Sequence, residues 1–172
     1  GAAVGPADEV ADEISALGGK AIPHYGDVSQ VKTGDELVQL ALENFGQLDI
    51  LINNAGILRD RMLHNMSDAE WSSVIDIHLS GTFYTTRAAA RIFRTQRSGV
   101  VVNTGSESGL GSMGQANYAA AKEGIVGFTR TIARDLGRYG CRANVIRPRA
   151  ASRLTLSDQL KDAIARAKKS GE

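Results

Sequence analysis

Cysteine is nearly missing from this chain. Cys141 is the only one in 172 residues, so no internal disulfide can form and a reducing compartment, the cytoplasm, fits best. Beside an apolar strand pattern it reads as a small buried core residue rather than a reactive thiol. Long apolar runs are absent as well. None approaches the ~18 residues of a membrane span, and the first residues lack the basic-then-apolar pattern of a signal peptide, so no membrane association is expected. Excess charge is missing too: the net charge is +1, which argues against a dedicated nucleic-acid binder. No repeat, linker or low-complexity segment interrupts the chain, and no metal site is expected. What remains is a length suited to one domain with a real core and an ordinary composition for a globular protein, 42% hydrophobic and 23% charged. The small charge is unevenly spread. Residues 1–60 carry ten acids and three bases, and the rest carries nine acids and seventeen bases, a mild hint of an anionic ligand on the C-terminal part.

Periodicity supplies the elements. Pro6 opens a helix with Val10, Ile14 and Leu17 on one face and Gly18-Gly19 at its end. Residues 21–25 read as a short strand leading to Gly26-Asp27-Val28-Ser29. Thr33 and Glu36 form a capping box for a helix that carries Leu37, Leu40, Ala41 and Phe45 to Gly46. Residues 48–52 are a continuous apolar run, the pattern of a strand buried on both faces, ending in Asn53-Asn54-Ala55-Gly56. Ser67 and Glu70 cap a helix that turns Trp71, Val74 and Ile75 inward, and another helix spans 82–96. Strands follow at 100–103 and 142–146, separated by a helix running from Tyr118 through Ile125, Phe128, Ile132 and Leu136 to Gly137. Pro148 stops the last strand, and a basic helix covers 157–169. Strands alternating with helices predict an α/β fold with a doubly wound parallel sheet. Ligands of such sheets bind beyond the carboxyl ends of the strands. Those ends would deliver Asp27, the Asn53-Asn54 pair, Ser106 and the Pro148 loop to one edge.

The stretch 106–122, SESGLGSMGQANYAAAK, concentrates the chemistry. Ala-rich sequence favours helix, which puts Tyr118 and Lys122 one turn apart on a shared face. A phenol near its ordinary pKa of ~10 is useless as an acid–base at neutrality. An ammonium one turn away is expected to draw that pKa down. Gly109, Gly111 and Gly114 let the preceding loop fold back, so that the Ser106 hydroxyl reaches the same point. Such a set suits a reaction in which a carbonyl oxygen gains or loses a proton.

The phrase NTGSESG…GQANYAAAKEGIVGFTR resembles the active-site segment of the short-chain dehydrogenase/reductase family, and the likeness runs over nearly the whole chain. The resemblance implies a Rossmann-like fold, NAD or NADP as cofactor, and Tyr118 as catalytic acid–base. It makes Lys122 the residue that tunes the tyrosine and binds the nicotinamide ribose, and Ser106 the holder of the substrate oxygen. Ser106 lies one residue closer to the tyrosine than is usual. Strict counting lands on Gly105, so a one-residue deletion between Leu110 and Gly114 is expected. Asp27 and Val28 resemble the pair that contacts adenine, and the NNAG of Asn53 to Gly56 resembles the turn that supports the sheet and lines the adenosine ribose, with Asn54, Ala55 and Gly56 as the cofactor contacts. Pro148 and Ala151 fall in the loop that meets the nicotinamide carboxamide, with Arg149 where the family has glycine. His78 stands where most relatives have an asparagine that helps relay protons, and imidazole can do so near neutrality.

NNAGILRDRML, IHLSGTF and RPRAASRLT resemble a narrower branch that includes the (3R)-hydroxyacyl-CoA dehydrogenase part of the type 2 multifunctional enzyme. That resemblance implies a secondary alcohol or ketone substrate, of the CoA thioester kind in the narrower branch. Arg147, Arg149 and Arg153 are then candidates for its phosphates. The family's opening strand and glycine-rich pyrophosphate turn have no counterpart between Gly1 and Asp27. The chain therefore reads as a single, N-terminally incomplete domain over 1–172, without the first two strands and the last, leaving the 21–25 strand without a neighbour. Two functions are open: an NAD(P)-dependent oxidoreductase, or a truncated inactive relative serving as a binding or oligomerisation module. The family's habit of pairing through helices like those at 82–96 and 118–136 implies a homodimer or homotetramer.

Overall fold

A computed structural model describes residues 5–148. The sheet has three parallel strands, β1 (Ile50–Asn53), β2 (Gly99–Thr104) and β3 (Cys141–Ile146), in the order β1-β2-β3. Asn53 pairs in register with Asn103, and Thr104 with Ile146, so the carboxyl ends of all three strands reach one edge. The helices are α1 (Pro6–Ala16), α2 (Val31–Phe45), α3 (Asp68–Ile75), α4 (Gly81–Gln96) and α5 (Ala116–Gly137). The α/β class, the parallel sheet and the three later strands match expectation.

The core is built where α2, α4 and α5 meet the sheet. Val38, Ala88, Ala89, Phe93, Val101, Ile132, Leu136 and Cys141 form one buried cluster, and Cys141 occupies the place its type suggests. Along β2 burial alternates, with Val101 and Asn103 under the helices and Val100 and Val102 half-buried on the other face. This is the period-2 signature of one strongly covered face.

Five expectations fail. Residues 21–25 form no strand, because a strand needs a partner for its backbone groups and among the described residues none lies beside them. The apolar run before Asn53 is not buried on both faces: Ile50 and Ile52 are 57% and 64% exposed. Of the α1 face, Ala11 alone is buried, while Val10, Ile14 and Leu17 stand exposed. Thr33 and Glu36 form no capping box. Helix α2 begins three residues earlier with Gln30 as N-cap, Thr33 is buried, and Glu36 pairs with Lys32 one turn back. Ser67 and Glu70, by contrast, form the expected reciprocal box: Ser67 Oγ accepts from the Glu70 amide at 3.2 Å, and Glu70 Oε2 accepts from the Ser67 amide at 2.9 Å. Val74 is buried beneath α3, but Trp71 is exposed.

Helices α3 and α4 are joined by one wide turn of π-helix, Asp76–Ser80, which periodicity did not announce. Such turns insert a residue into a helix and re-aim its side chains. Here the turn carries His78.

Candidate active site

The site begins with buried polar groups under the strand ends. Asn53 and Asn103, side by side in register, are locked together: Asn53 Nδ2 donates to Asn103 Oδ1 at 2.8 Å and to Thr86 Oγ1 at 3.0 Å. Asn103 Nδ2 donates to Thr129 Oγ1 at 2.8 Å, and Thr85 Oγ1 donates to Asn53 Oδ1 at 2.7 Å. These bonds tie β1, β2, α4 and α5 into one frame. Satisfied networks of this kind rigidify a core and specify its packing. Just beyond, Thr104 Oγ1 donates to Asn54 Oδ1 at 3.0 Å. Asn117, fully buried, anchors the start of α5 through bonds to the carbonyls of Arg59 and Glu70, at 3.0 and 2.9 Å.

On that frame sits the tyrosine face of α5. Lys122 is buried, and its Nζ donates to the Thr104 carbonyl at 2.6 Å. Desolvation lowers its pKa to about 8, since burial disfavours the charged form. The ammonium lies 5.4 Å from the centroid of the Tyr118 ring. Ser106 caps the short 3₁₀ turn Glu107–Leu110, its Oγ accepting from the Ser108 amide at 3.1 Å. Its hydroxyl also bears on the Tyr118 phenol. Burial pushes that phenol up from its ordinary pKa, the Ser106 hydrogen bond pulls it back, and the Asp60 carboxylate adds to the rise. The expected lowering by Lys122 is therefore not found. Its ammonium is engaged by the Thr104 carbonyl, and its charge is felt at His78 instead.

His78 is fully buried and meets the tyrosine ring edge-on, with centroids 5.1 Å apart. Its Nε2 lies 2.8 Å from the Ile57 carbonyl oxygen and 3.0 Å from the Ile57 amide nitrogen. Nδ1 is buried without a partner. Burial first, and the Lys122 charge second, hold its pKa down to about 4 against the Ile57 hydrogen bond that raises it. The imidazole is thus neutral at physiological pH and pins the turn after β1. Gly56 is part of the same fit: a Cβ there would come within 2.3 Å of the His78 ring.

Val28, Asn54 and Ala55 line one cavity of about 100 Å³ against Gly81 and Thr82. Asp27, whose carboxylate accepts from the Ser29 amide at 2.9 Å, is exposed. Both reach this edge from a turn rather than from a strand end. Pro148 stands two residues past the end of β3, and Ala151, Arg149, Arg153 and the helix expected at 157–169 lie outside the described residues. Arg147 is no free phosphate arm: its Nη2 donates to Glu123 Oε2 at 2.7 Å. The structure thus gathers Ser106, Tyr118, Lys122, His78, Asn54 and Gly56 around one strand edge. Sequence reasoning placed Asn53 at this edge without its role in the frame, and missed Asn103 and Asn117. The first two had a readable signal, a polar residue closing an apolar run at matching strand positions.

The short chain dehydrogenase model matches residues 2–162. The chain belongs to the short chain dehydrogenase family. A hydroxyacyl-CoA dehydrogenase, ChsB1, of Mycobacterium tuberculosis is 52% identical over 162 residues, covering 87% of this chain and 51% of the relative. The peroxisomal hydratase-dehydrogenase-epimerase of Neurospora crassa is 50% identical over 150 residues, covering 87% of this chain and 16% of that protein. Among solved structures, a short chain dehydrogenase from Mycobacterium avium superposes with a TM-score of 0.82 at 45% identity, over 87% of this chain and 53% of the other. The chain thus spans about half the length of two of these dehydrogenases, and the Rossmann-like resemblance holds over that half.

Proposed function

We propose that the chain carries the catalytic part of an NAD(P)-dependent oxidoreductase that interconverts a secondary alcohol and a ketone, on a 3-hydroxyacyl-CoA type of substrate. One observation carries the reading: a buried lysine held by a strand-end carbonyl has its ammonium 5.4 Å from the ring centre of a half-buried tyrosine, whose phenol pKa the nearby Ser106 hydroxyl draws down against burial. A surface Tyr–Lys pair would have no reason to desolvate its ammonium. The named relatives, one a hydroxyacyl-CoA dehydrogenase, support the substrate class.

The residues present fit the two ends of a nicotinamide dinucleotide. Val28, Asn54 and Ala55 line a cavity suited to part of an adenosine, with Asp27 beside them and Gly56 behind. Lys122 keeps two N–H donors beyond the one given to Thr104, fitting a ribose diol, and Pro148 opens the chain that would flank the carboxamide, with Ala151 further on. When bound, the nicotinamide supplies or accepts the hydride. Tyr118, protonated at rest because its pKa is raised, gives a proton to the ketone oxygen in reduction and takes one from the alcohol in oxidation. Ser106 Oγ holds that oxygen in place. His78, neutral and without a proton to gain near pH 7, acts here by holding the Ile57 turn.

We read the chain as one domain working in a reducing compartment, the cytoplasm in the simplest case. Among the described residues no helix is long and apolar enough to cross a membrane. The α4 and α5 faces that carry Phe83 and Phe128, ring against ring at 6.2 Å, suit pairing into a homodimer or homotetramer. A second reading, a non-catalytic binding module, draws support from the bare apolar strand β1. Assay of the full-length gene product with a 3-hydroxyacyl-CoA and either NAD or NADP separates the two. Turnover that falls when the CoA is cut back to pantetheine supports the dehydrogenase reading, and no turnover with any secondary alcohol or ketone leaves the module.

A further inference from the structure

The Ser106 turn has weak anchors of its own. Its backbone closes through Gly109 N to Ser106 O at 3.2 Å and Gly111 N to Ser108 O at 3.0 Å. Leu110 and Met113, the apolar side chains that would normally hold such a loop down, are 78% and 87% exposed. Yet Ser106 must meet a phenol on another element. A charged pair outside the reacting set adds to the contacts that span this gap. Arg147 leaves β3 one residue past its end and donates through Nη2 to Glu123 Oε2 at 2.7 Å. Glu123 directly follows Lys122 on α5.

Each partner also abuts one end of the serine turn. A Cβ on Gly105 would lie 3.5 Å from Arg147 Cγ and 3.1 Å from the Ile146 carbonyl, and Gly105 N donates to that carbonyl at 2.8 Å. A Cβ on Gly109 would lie 2.8 Å from Glu123 Oε2. The residues flanking Ser106 are therefore glycines where the ion pair comes closest, and the pair brackets the turn from both sides.

We propose that the Glu123–Arg147 ion pair is a positioning clamp: it fixes the Ser106 turn against α5 so that the serine hydroxyl is delivered to Tyr118. The clamp rests on the reading of Ser106 and Tyr118 as the reacting pair. It assigns Arg147 to the architecture of the site rather than to a substrate phosphate. As a partly exposed pair it adds little to global stability. Its effect is local, where misplacement by about 1 Å can cost ~10²-fold in rate.

The test has an arm that does not need turnover. In the full-length protein, amide hydrogen exchange is followed for Ser108, Gly109 and Gly111 in Glu123→Gln, in Arg147→Gln, and in the double reversal Glu123→Arg with Arg147→Glu. The single variants should exchange about five-fold faster at these amides with Tm nearly unchanged, as loss of an exposed ion pair implies, and the reversal should restore slow exchange. Exchange unchanged in the singles, or left fast in the reversal, overturns the clamp. If a single variant fails to fold, the reversal against wild type decides alone. The kinetic arm expects kcat to fall at least ~10-fold in the singles with the KM for the dinucleotide unmoved, and to recover in the reversal. Unchanged kcat alongside faster exchange removes the catalytic role. A wild-type protein without turnover defeats the oxidoreductase reading, while the exchange arm still decides whether the pair clamps the turn.

Discussion

Two flanks of one short sheet are finished to different degrees. Around β2 and α5, polar side chains are taken out of water and paired: Asn103, Asn117, Thr129 and Lys122 are all buried and all bonded. Among the described residues, Nδ1 of His78 is the one buried side-chain polar atom without a partner. Along β1 and the segment before it the reverse holds. Ile50, Ile52, Leu17 and Tyr25 are apolar or aromatic and stand in the open. Nature pays to bury polar groups only where geometry matters, since an unmatched one costs more than it returns. The investment falls on the β2–α5 flank, where the proposed chemistry sits. Among the described residues the β1 edge keeps exposed apolar area and has no neighbouring strand on its outer side, a surface that invites a covering partner.

The largest expected contrast is in stability. Asn103→Ala leaves both Asn53 and Thr129 short of a partner inside the core and should cost about 2–4 kcal/mol in urea unfolding. A loss below ~1 kcal/mol would show that the polar frame is not what holds this flank together.

Acid sharpens the comparison next. The folded pKa of His78 is about 4, against an ordinary 6.5, so between those values the unfolded chain binds the proton that the folded chain refuses. Stability therefore falls as pH drops through this window, by roughly 2–4 kcal/mol, and is level above it as far as His78 is concerned. His78→Gln should remove most of that slope in melts recorded from pH 7 to pH 4. A slope that is identical in the variant would assign the acid sensitivity elsewhere.

The smallest effect belongs to the open flank. Ile52→Thr, at a side chain 64% exposed, should change stability by no more than ~0.5 kcal/mol. A cost like that of Asn103→Ala would mean that β1 is covered in solution.

The same contrast governs what could be read from the residues alone. The Ser67–Glu70 box and the Tyr118–Lys122 face were legible because each is decided within one turn of helix. Strand β2 was legible because an apolar run reports neighbours that are present. The 21–25 strand and the two-sided burial of β1 failed for the complementary reason: local pattern prescribes an environment, and along this flank that environment does not surround the strand. The π turn that aims His78 had no local signal. Its match is Gly56, twenty-two residues earlier, and a long-range fit between a ring and a missing Cβ cannot be seen in either segment by itself. The direction of the tyrosine shift failed similarly. Spacing placed Lys122 near Tyr118 but could not show that the Thr104 carbonyl would engage the ammonium.

The central claim is that this flank moves a proton through Tyr118. Its most direct test is the steady-state turnover of Tyr118→Phe in the full-length gene product, beside a calorimetric titration of the same variant with the dinucleotide. Removing a positioned acid–base should lower kcat by ~10²–10⁴-fold while dinucleotide affinity stays within a few-fold of wild type. A variant that turns over within a few-fold of wild type would contradict the account, because the buried lysine, the serine turn and the tyrosine would then have been assembled for something other than proton transfer.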